Sequence, residues 1–289
     1  MSPHPLTFRF GGHCWECGAG TRLMGIVNVT PDSFSDGGKF LAAESAIRQG
    51  CRLASEGADC LDVGGESTRP GADPVSVDEE LRRTIPVVRG LLEQTHIPVS
   101  IDTTKANVAE AALEAGATIV NDVSGFRADP RMIDVLRTSQ AGAVAMHMRG
   151  TPKTMQRMTQ YADLVEEILD RFRETLAWFH EQNIDPERLM FDPGIGFGKT
   201  AEQDLDLIAA TPRLRELGRP ILIGPSRKSF IGKLLAVDAA EQRVWGTAGV
   251  CACGAMLQAD VLRVHDVAEI GQAVRMADAV AGSMRYCET

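Results

Sequence analysis

Residues 189–199 read LMFDPGIGFGK: an apolar run fit for a buried strand stops at Asp192, and a Pro-Gly turn with two more glycines follows. An acidic group at the C-terminal tip of a buried strand, ahead of a loop that allows close backbone approach, is how α/β proteins build sites. The same pattern recurs along the chain. Residues 26–29 run into Thr30-Pro31-Asp32, residues 61–65 into Glu66-Ser67-Thr68-Arg69, and residues 99–102 into Thr103-Thr104. Residues 119–120 lead to Asn121-Asp122, 144–148 to Arg149-Gly150, 221–224 to Ser226-Arg227-Lys228, and 261–262 to Arg263-Val264-His265-Asp266. Eight apolar runs therefore end in polar tips, each followed by a helical pattern. Such alternation implies a parallel sheet, and eight units favour one closed (β/α)8 barrel of the TIM type over an open sheet. In that architecture all eight tips converge on one face, where active sites of the fold sit.

The length supports this reading, since 289 residues suffice for a barrel of about 250 with a short addition. A net charge of −9 argues against nonspecific binding to nucleic acid or membranes. A few Arg and Lys can still dominate one cleft and take an anionic small ligand. The seven cysteines are an odd number scattered through apolar patterns, which fits a reducing cytoplasm better than a disulfide framework. The N-terminus lacks an apolar run of signal-peptide length, and nowhere do about 18 apolar residues run together. A cytoplasmic protein is expected.

Residues 1–22 fall outside the strand–helix rhythm. Leu6, Phe8 and Phe10 alternate and Gly11-Gly12 can turn, so a β-hairpin packed on the bottom of the barrel is predicted, with the barrel itself spanning 23–289. Cys14-x-x-Cys17 has metal or redox spacing, but no second such pair accompanies it, and it reads as incidental. Strands are predicted at 23–29, 60–65, 98–103, 119–124, 143–148, 189–192, 221–226 and 261–267. Ser76-x-x-Glu79 reads as a capping box, and Gly116 as a C-cap glycine. The clearest amphipathic helix carries Leu164, Val165, Ile168, Leu169, Phe172, Leu176 and Phe179 on one stripe. Residues 227–239 read as a loop before a long helix over 240–258.

Gly198-Lys199-Thr200 ends like a phosphate-binding loop, but Pro193 stands where the first glycine must be, so these glycines read as turn residues. Asp102, Asn121 and Asp192 lie at three strand tips and together offer two carboxylates and an amide. That set suits a flat, nitrogen-rich heterocycle with adjacent N–H donors. Ser226-Arg227-Lys228-Ser229 puts two cations at the seventh tip, and Arg263 and His265, spaced i, i+2, share a face of the eighth. Barrels often hold phosphate there. Asp266, with Glu269 three residues on, reads as the N-cap of the last helix. Asn28 could supply an amide oxygen to a Mg²⁺ carried by phosphates.

These residues resemble dihydropteroate synthases, the folate-pathway enzymes inhibited by sulfonamides. The resemblance runs from about residue 23 to the C-terminus through LMGIVNVTPDSFSDGG (23–38), DVGGESTRPGA (62–72), SIDTTK (100–105), NDVSG (121–125), MHMRGTPKTMQ (146–156), DPGIGFGK (192–199), GPSRKSFIG (224–232) and RVHDV (263–267). It implies a TIM barrel that joins 6-hydroxymethyl-7,8-dihydropterin diphosphate to 4-aminobenzoate, releasing diphosphate, with Mg²⁺ required and a homodimer expected. Asp102, Asn121, Asp192 and Lys228 would then hold the pterin, with Met146, Phe197 and Gly224 lining its slot. Asn28 with Mg²⁺, Arg263 and His265 would take the diphosphate, and Phe34, Thr68, Arg69, Pro70, Lys228 and Ser229 would form the aminobenzoate side. Asp102, Lys228, Arg263 and His265 would carry the reaction, expected to pass through a pterin cation. A similar barrel that moves a methyl group from a folate needs no diphosphate cradle, and the SRKS and TPDSFSDGG segments favour the synthase.

Overall fold

The computed structural model describes residues 6–29 and 39–287, with side-chain surroundings for 6–29 and 42–283. Two antiparallel strands, β1 (Leu6–Phe10) and β2 (His13–Cys17), precede the parallel set. That set comprises β3 (Arg22–Asn28), β4 (Cys60–Gly64), β5 (Val99–Asp102), β6 (Ile119–Asp122), β7 (Gly142–Met146), β8 (Leu189–Asp192), β9 (Leu222–Ile223) and β10 (Val261–Val264). The helices are α1 (Lys39–Ser55), α2 (Val77–Gln94), α3 (Ala106–Glu114), α4 (Met132–Thr138), α5 (Leu164–Glu181), α6 (Ala201–Ala209), α7 (Thr211–Arg215), α8 (Ser229–Leu235), α9 (Val244–Met256) and α10 (Val267–Cys287). No helix among the described residues is long and apolar enough to cross a membrane.

The parallel strands pair in the order β8-β7-β6-β5-β4-β3-β10-β9, and a bridge from Phe191 to Ile221 brings the two ends together. The result is a nearly closed (β/α)8 barrel. Its weakest seam is β9, predicted over 221–226 but only two residues long. Pro225 has no N–H to give a ladder, and the Asp260 carboxylate takes the Ile221 N–H at 3.0 Å in place of a strand neighbour.

Outward-facing strand residues pack under the helices in one continuous core. In α5, the residues Ile168, Leu169, Phe172 and Phe179 are buried, and Phe172 stacks on Phe191 of β8 with ring centroids 4.2 Å apart. Each such side chain contributes about 1.5–3 kcal/mol by leaving water. Ser76 caps α2 by accepting the Glu79 N–H, but the Glu79 carboxylate binds Arg83 at 2.8 Å, so only half of the predicted capping box forms. A full box forms instead at α6, between Thr200 and Gln203. Residues 229–235, expected as loop, form α8, and the 240–258 helix opens as a 3₁₀ turn before α9.

Inward-facing residues make two tiers. The lower tier is apolar: Met24, Cys60, Ile119, Val144, Met190, Leu222 and Val261 pack with Phe8, Phe10, Trp15 and Cys17 of the hairpin. The hairpin thus plugs the end where the strands begin. Glycine is required at 142, because a Cβ there would come within 2.6 Å of the Phe8 ring and 2.7 Å of Phe10. On β2, Cys14 is exposed and Cys17 buried, as period-2 alternation demands of residues three apart. Their side chains therefore face opposite ways, and burial, with Asp260 adding, pushes the Cys17 thiol up to about 12. A Cys14→Ser/Cys17→Ala variant should keep full activity and the zinc content of the wild type. Stoichiometric zinc that vanishes in the variant would reverse this reading.

Candidate active site

Two residues further along, the inward positions of five strands are polar, while β3, β7 and β9 carry Ile26, Met146 and Gly224 there. Cys60 is followed by Asp62, Ser100 by Asp102, Ile119 by Asn121, Met190 by Asp192, and Val261 by Arg263. The register sets Asn28, Gly64, Asp102 and Asn121 side by side across β3–β6, and Met146 beside Asp192 across β7 and β8. Since the strands are parallel, this tier opens at the C-terminal end of the barrel.

Arg263 is its hub. Its Nε donates to Asp62 Oδ2 at 2.6 Å and its Nη2 to Asp102 Oδ2 at 2.8 Å, while Asn121 Nδ2 donates to the same Asp62 oxygen at 3.0 Å. One guanidinium faces two buried carboxylates, so one negative charge is left over. Burial pushes Asp102 up to about 7; Arg263 pulls it down only in part, and Asp62, Glu80 and Asp122 repel its charge. Both aspartates hold Arg263 well above its ordinary value against the cost of burial. Asp62 Oδ1 is buried without a partner among the described residues. Sequence reasoning missed Asp62, which lies inside a strand rather than at its tip. Its signal was a carboxylate in an otherwise apolar CLDVG run.

Across the mouth, Asp192 Oδ1 accepts the Gly194 N–H at 2.7 Å. Burial raises its pKa; that bond and the charge of Lys228 act the other way. Gly194 has φ +74, and a Cβ there would lie 2.1 Å from the His147 carbonyl oxygen, so only glycine lets the loop double back beneath Asp192. Lys228 lies 4.0 Å over the Phe197 ring, and burial lowers its pKa to about 8 while Asp192 opposes the shift. Phe197 packs with Met146, Val123 and Met155 in a small apolar cluster. A Cβ on Gly224 would fall 3.9 Å from the Arg263 Cβ and 4.0 Å from Asp192 Oδ2, which places that residue between the two groups.

His265 Nδ1 bonds Ser226 Oγ at 2.9 Å, and burial, with the charges of Arg263 and Arg227, lowers its pKa to about 3. It is a neutral imidazole at neutral pH. Arg227, at φ +59, donates from Nε to Asp266 at 2.9 Å, so this cation of the SRKS motif is engaged away from the mouth. Asp266 does precede α10, and its carbonyl takes the Ile270 N–H, but its carboxylate serves Arg227. Lys199, four per cent exposed, donates to the carbonyls of Phe197 (2.9 Å) and His147 (3.3 Å), fixing the loop rather than meeting a phosphate.

Asn28 ends β3 with its side chain exposed. Among the described residues no three His, Cys, Asp or Glu side chains gather to hold a metal. A lone amide oxygen suits a hydrated Mg²⁺ brought by substrate phosphates, and would not suit a protein cage. Thr68 lines a cavity of about 300 Å³ on the β4–β7 side, together with Asp102 and Lys105. Arg69 and Pro70 are exposed on the same loop, and Ser229 opens α8; among the described residues no hydrogen bond joins Thr68, Arg69 or Pro70 to Lys228 or Ser229. Phe34 lies outside the described residues, as do residues 30–38 as a whole.

Comparison with known proteins agrees with this architecture. Residues 24–265 match the family described as pterin binding enzyme. The dihydropteroate synthase of Synechocystis sp. is 46% identical over 96% of both chains, and that of Escherichia coli is 40% identical over 89% of this chain and 90% of its own. Among solved structures, Xanthomonas albilineans dihydropteroate synthase with 4-aminobenzoic acid superposes with a TM-score of 0.88 at 44% identity, covering 96% of this chain and 98% of that one. The Burkholderia cenocepacia enzyme complexed with 7,8-dihydropteroate gives 0.87 at 39% identity, covering 98% and 99%. With identity at this level over nearly the whole chain, and a barrel mouth built of paired carboxylates, amide and cations, the chain belongs to the pterin-binding enzymes, among the dihydropteroate synthases.

Proposed function

We propose that the polar tier binds 6-hydroxymethyl-7,8-dihydropterin diphosphate and passes its pterin methylene to 4-aminobenzoate. The observation that carries this is the placement of Asp102, Asn121 and Asp192 around one opening, with Lys228 and Arg263 between them. Two carboxylates and an amide match the N–H-rich edge of a pterin. Met146 and Phe197 supply an apolar wall for its ring.

The methylene C–O bond breaks heterolytically, its electron pair leaving with diphosphate, and the pterin ring spreads the positive charge. Asp102, ionised above about pH 7, offsets that charge. Arg263 orients Asp102, and its Nη1, unbonded among the described residues, is the donor left for the leaving group. Neutral His265 adds a hydrogen bond, with Ser226 fixing its ring. Mg²⁺ held through Asn28 would neutralise diphosphate charge. The amine lone pair of 4-aminobenzoate then forms the C–N bond, and its proton is lost to water. Holding the amine against the methylene is the remaining task, assigned to Thr68, Arg69, Pro70, Phe34 and Ser229. Purified protein given both substrates and Mg²⁺ should release diphosphate and dihydropteroate in equal amounts. Absence of diphosphate release would sink the reading.

A pH profile follows from the two shifted groups. Below about 7 Asp102 is protonated and cannot counter a cation; above about 8 Lys228 loses its charge. We expect kcat/KM to rise through the first value and fall beyond the second. A flat profile from about pH 6 to about pH 9 would remove both groups from the mechanism.

Trp245, 77% exposed on α9, stands with exposed Met256 of that helix and Met276 and Val280 of α10. A homodimer through this face, in the cytoplasm, completes the proposal. Sedimentation at micromolar concentration should give the mass of two chains, and Trp245→Arg should return one.

A further inference from the structure

On the rim beside β5 lies a partly buried ion cluster that the reaction above does not use. Lys105 Nζ donates to Glu66 Oε2 at 2.6 Å and also to Glu80 Oε2. Glu80, in the first turn of α2, is fully buried, and its Oε1 has no partner among the described residues. Glu66 heads the β4–α2 loop, and its Oε2 also accepts the Val75 backbone N–H from the far end of that loop, at 2.8 Å. One ammonium therefore fixes the carboxylate that clasps residues 66–75 across their base. Other ties on the loop are slighter: the Gly71 N–H reaches the Pro152 carbonyl at 3.1 Å, and Asp73 pairs with Lys153 in the open. Exposed pairs of that kind hold little. Burial works against the charge of Lys105, but the bonds from Glu66 and Glu80 outweigh it and raise its pKa above the ordinary value.

We propose that Lys105 is a positioning residue, setting the loop that presents Thr68, Arg69 and Pro70 to aminobenzoate, with its ammonium committed to Glu66 and Glu80. This rests on the aminobenzoate reading of that loop. Lys105→Met leaves two carboxylates facing each other, one with no route to water. Glu66 is then repelled from its post and releases Val75. The pterin side, held by Asp102, Asn121, Asp192 and Lys228, has no bond to this cluster among the described residues. The one link is the charge of Glu80, which repels that of Asp102, so rates are compared at each variant's own pH optimum.

The test is steady-state kinetics on the full-length protein with amide exchange at Val75. Lys105→Met should raise KM for 4-aminobenzoate at least about tenfold, with kcat and KM for the pterin diphosphate within about twofold. Lys105→Arg, which keeps the charge and two donors, should restore most of the loss. Because a buried unpaired Glu80 could unfold the barrel, Glu80→Leu/Lys105→Met is the companion variant, since leucine carries neither a charge nor an N–H that could take over as donor to Glu66. It removes the stranded charge but still leaves Glu66 unanchored, so the raised KM and faster Val75 exchange should persist in it. Equal changes in both KM values, a fall in kcat alone, or an unchanged Val75 exchange rate would each overturn the proposal. If the wild type itself releases no diphosphate, the functional reading falls, while Val75 exchange still decides whether Lys105 holds the loop.

Discussion

Arg263→Met should destabilise the folded barrel by about 3–5 kcal/mol, the cost of breaking a buried ion pair by removing one partner. The side chain that remains is of similar length and apolar, so the loss is not one of volume. It comes from Asp62, wholly buried, and Asp102, nearly so, which would keep each other company with no cation between them. Asn121 could still donate to Asp62, but a single neutral donor does not replace a guanidinium. Arg263→Met/Asp62→Asn should therefore recover part of the stability by removing one of the two charges, and should recover none of the activity. Urea denaturation of the two variants and the wild type reads both effects. A loss below about 1 kcal/mol in the single variant would mean that the carboxylates are neutral in the native state and that Arg263 is not their counter-ion.

Much of this was legible in the sequence because a barrel marks its own strands. At several tips the chain switches from apolar to polar, so Asp102, Asn121 and Asp192 could be seen as the ends of β5, β6 and β8 before any pairing was known. The hairpin announced itself through the alternation of Leu6, Phe8 and Phe10. What escaped was of two kinds. One is local: seven residues of α8 follow a motif that reads as turn, and β9 is cut short by Gly224-Pro225. The other is long-range. Arg263 reaches Asp62 and Asp102 across 201 and 161 residues of chain, so no spacing rule foretells it. A lone carboxylate in the apolar CLDVG run marks Asp62 as unusual, but its place in the site follows only when the register sets Gly64 beside Asp102 and shows which strand residues face inward. Lys105 escaped for the same reason, its partners lying 39 and 25 residues away.

Asp192→Asn should weaken pterin binding at least about tenfold, and the cause is one of polarity rather than shape. Asp192 is buried, and its Oδ1 is already committed to the Gly194 N–H. Its Oδ2 lies on the side of Gly224, where a Cβ would come within 4.0 Å. That oxygen is the acceptor available to a ring N–H or amino group. The amide must keep its oxygen on Gly194 or lose that bond, so its NH₂ group then faces the ligand's donors. A hydrogen bond to a charged group contributes about 1.5–3 kcal/mol, and leaving donors unpaired in a buried slot costs on the same order. Lys228 compounds the effect, since its charge is held up by Asp192 against burial and would be harder to keep once that carboxylate is gone. The variant should accordingly show a lowered alkaline limb in its pH profile as well as weaker binding. Calorimetric titration with a pterin ligand measures the first quantity and the rate profile the second. Unchanged affinity would remove Asp192 from the binding edge and leave it as a brace for the Gly194 turn alone.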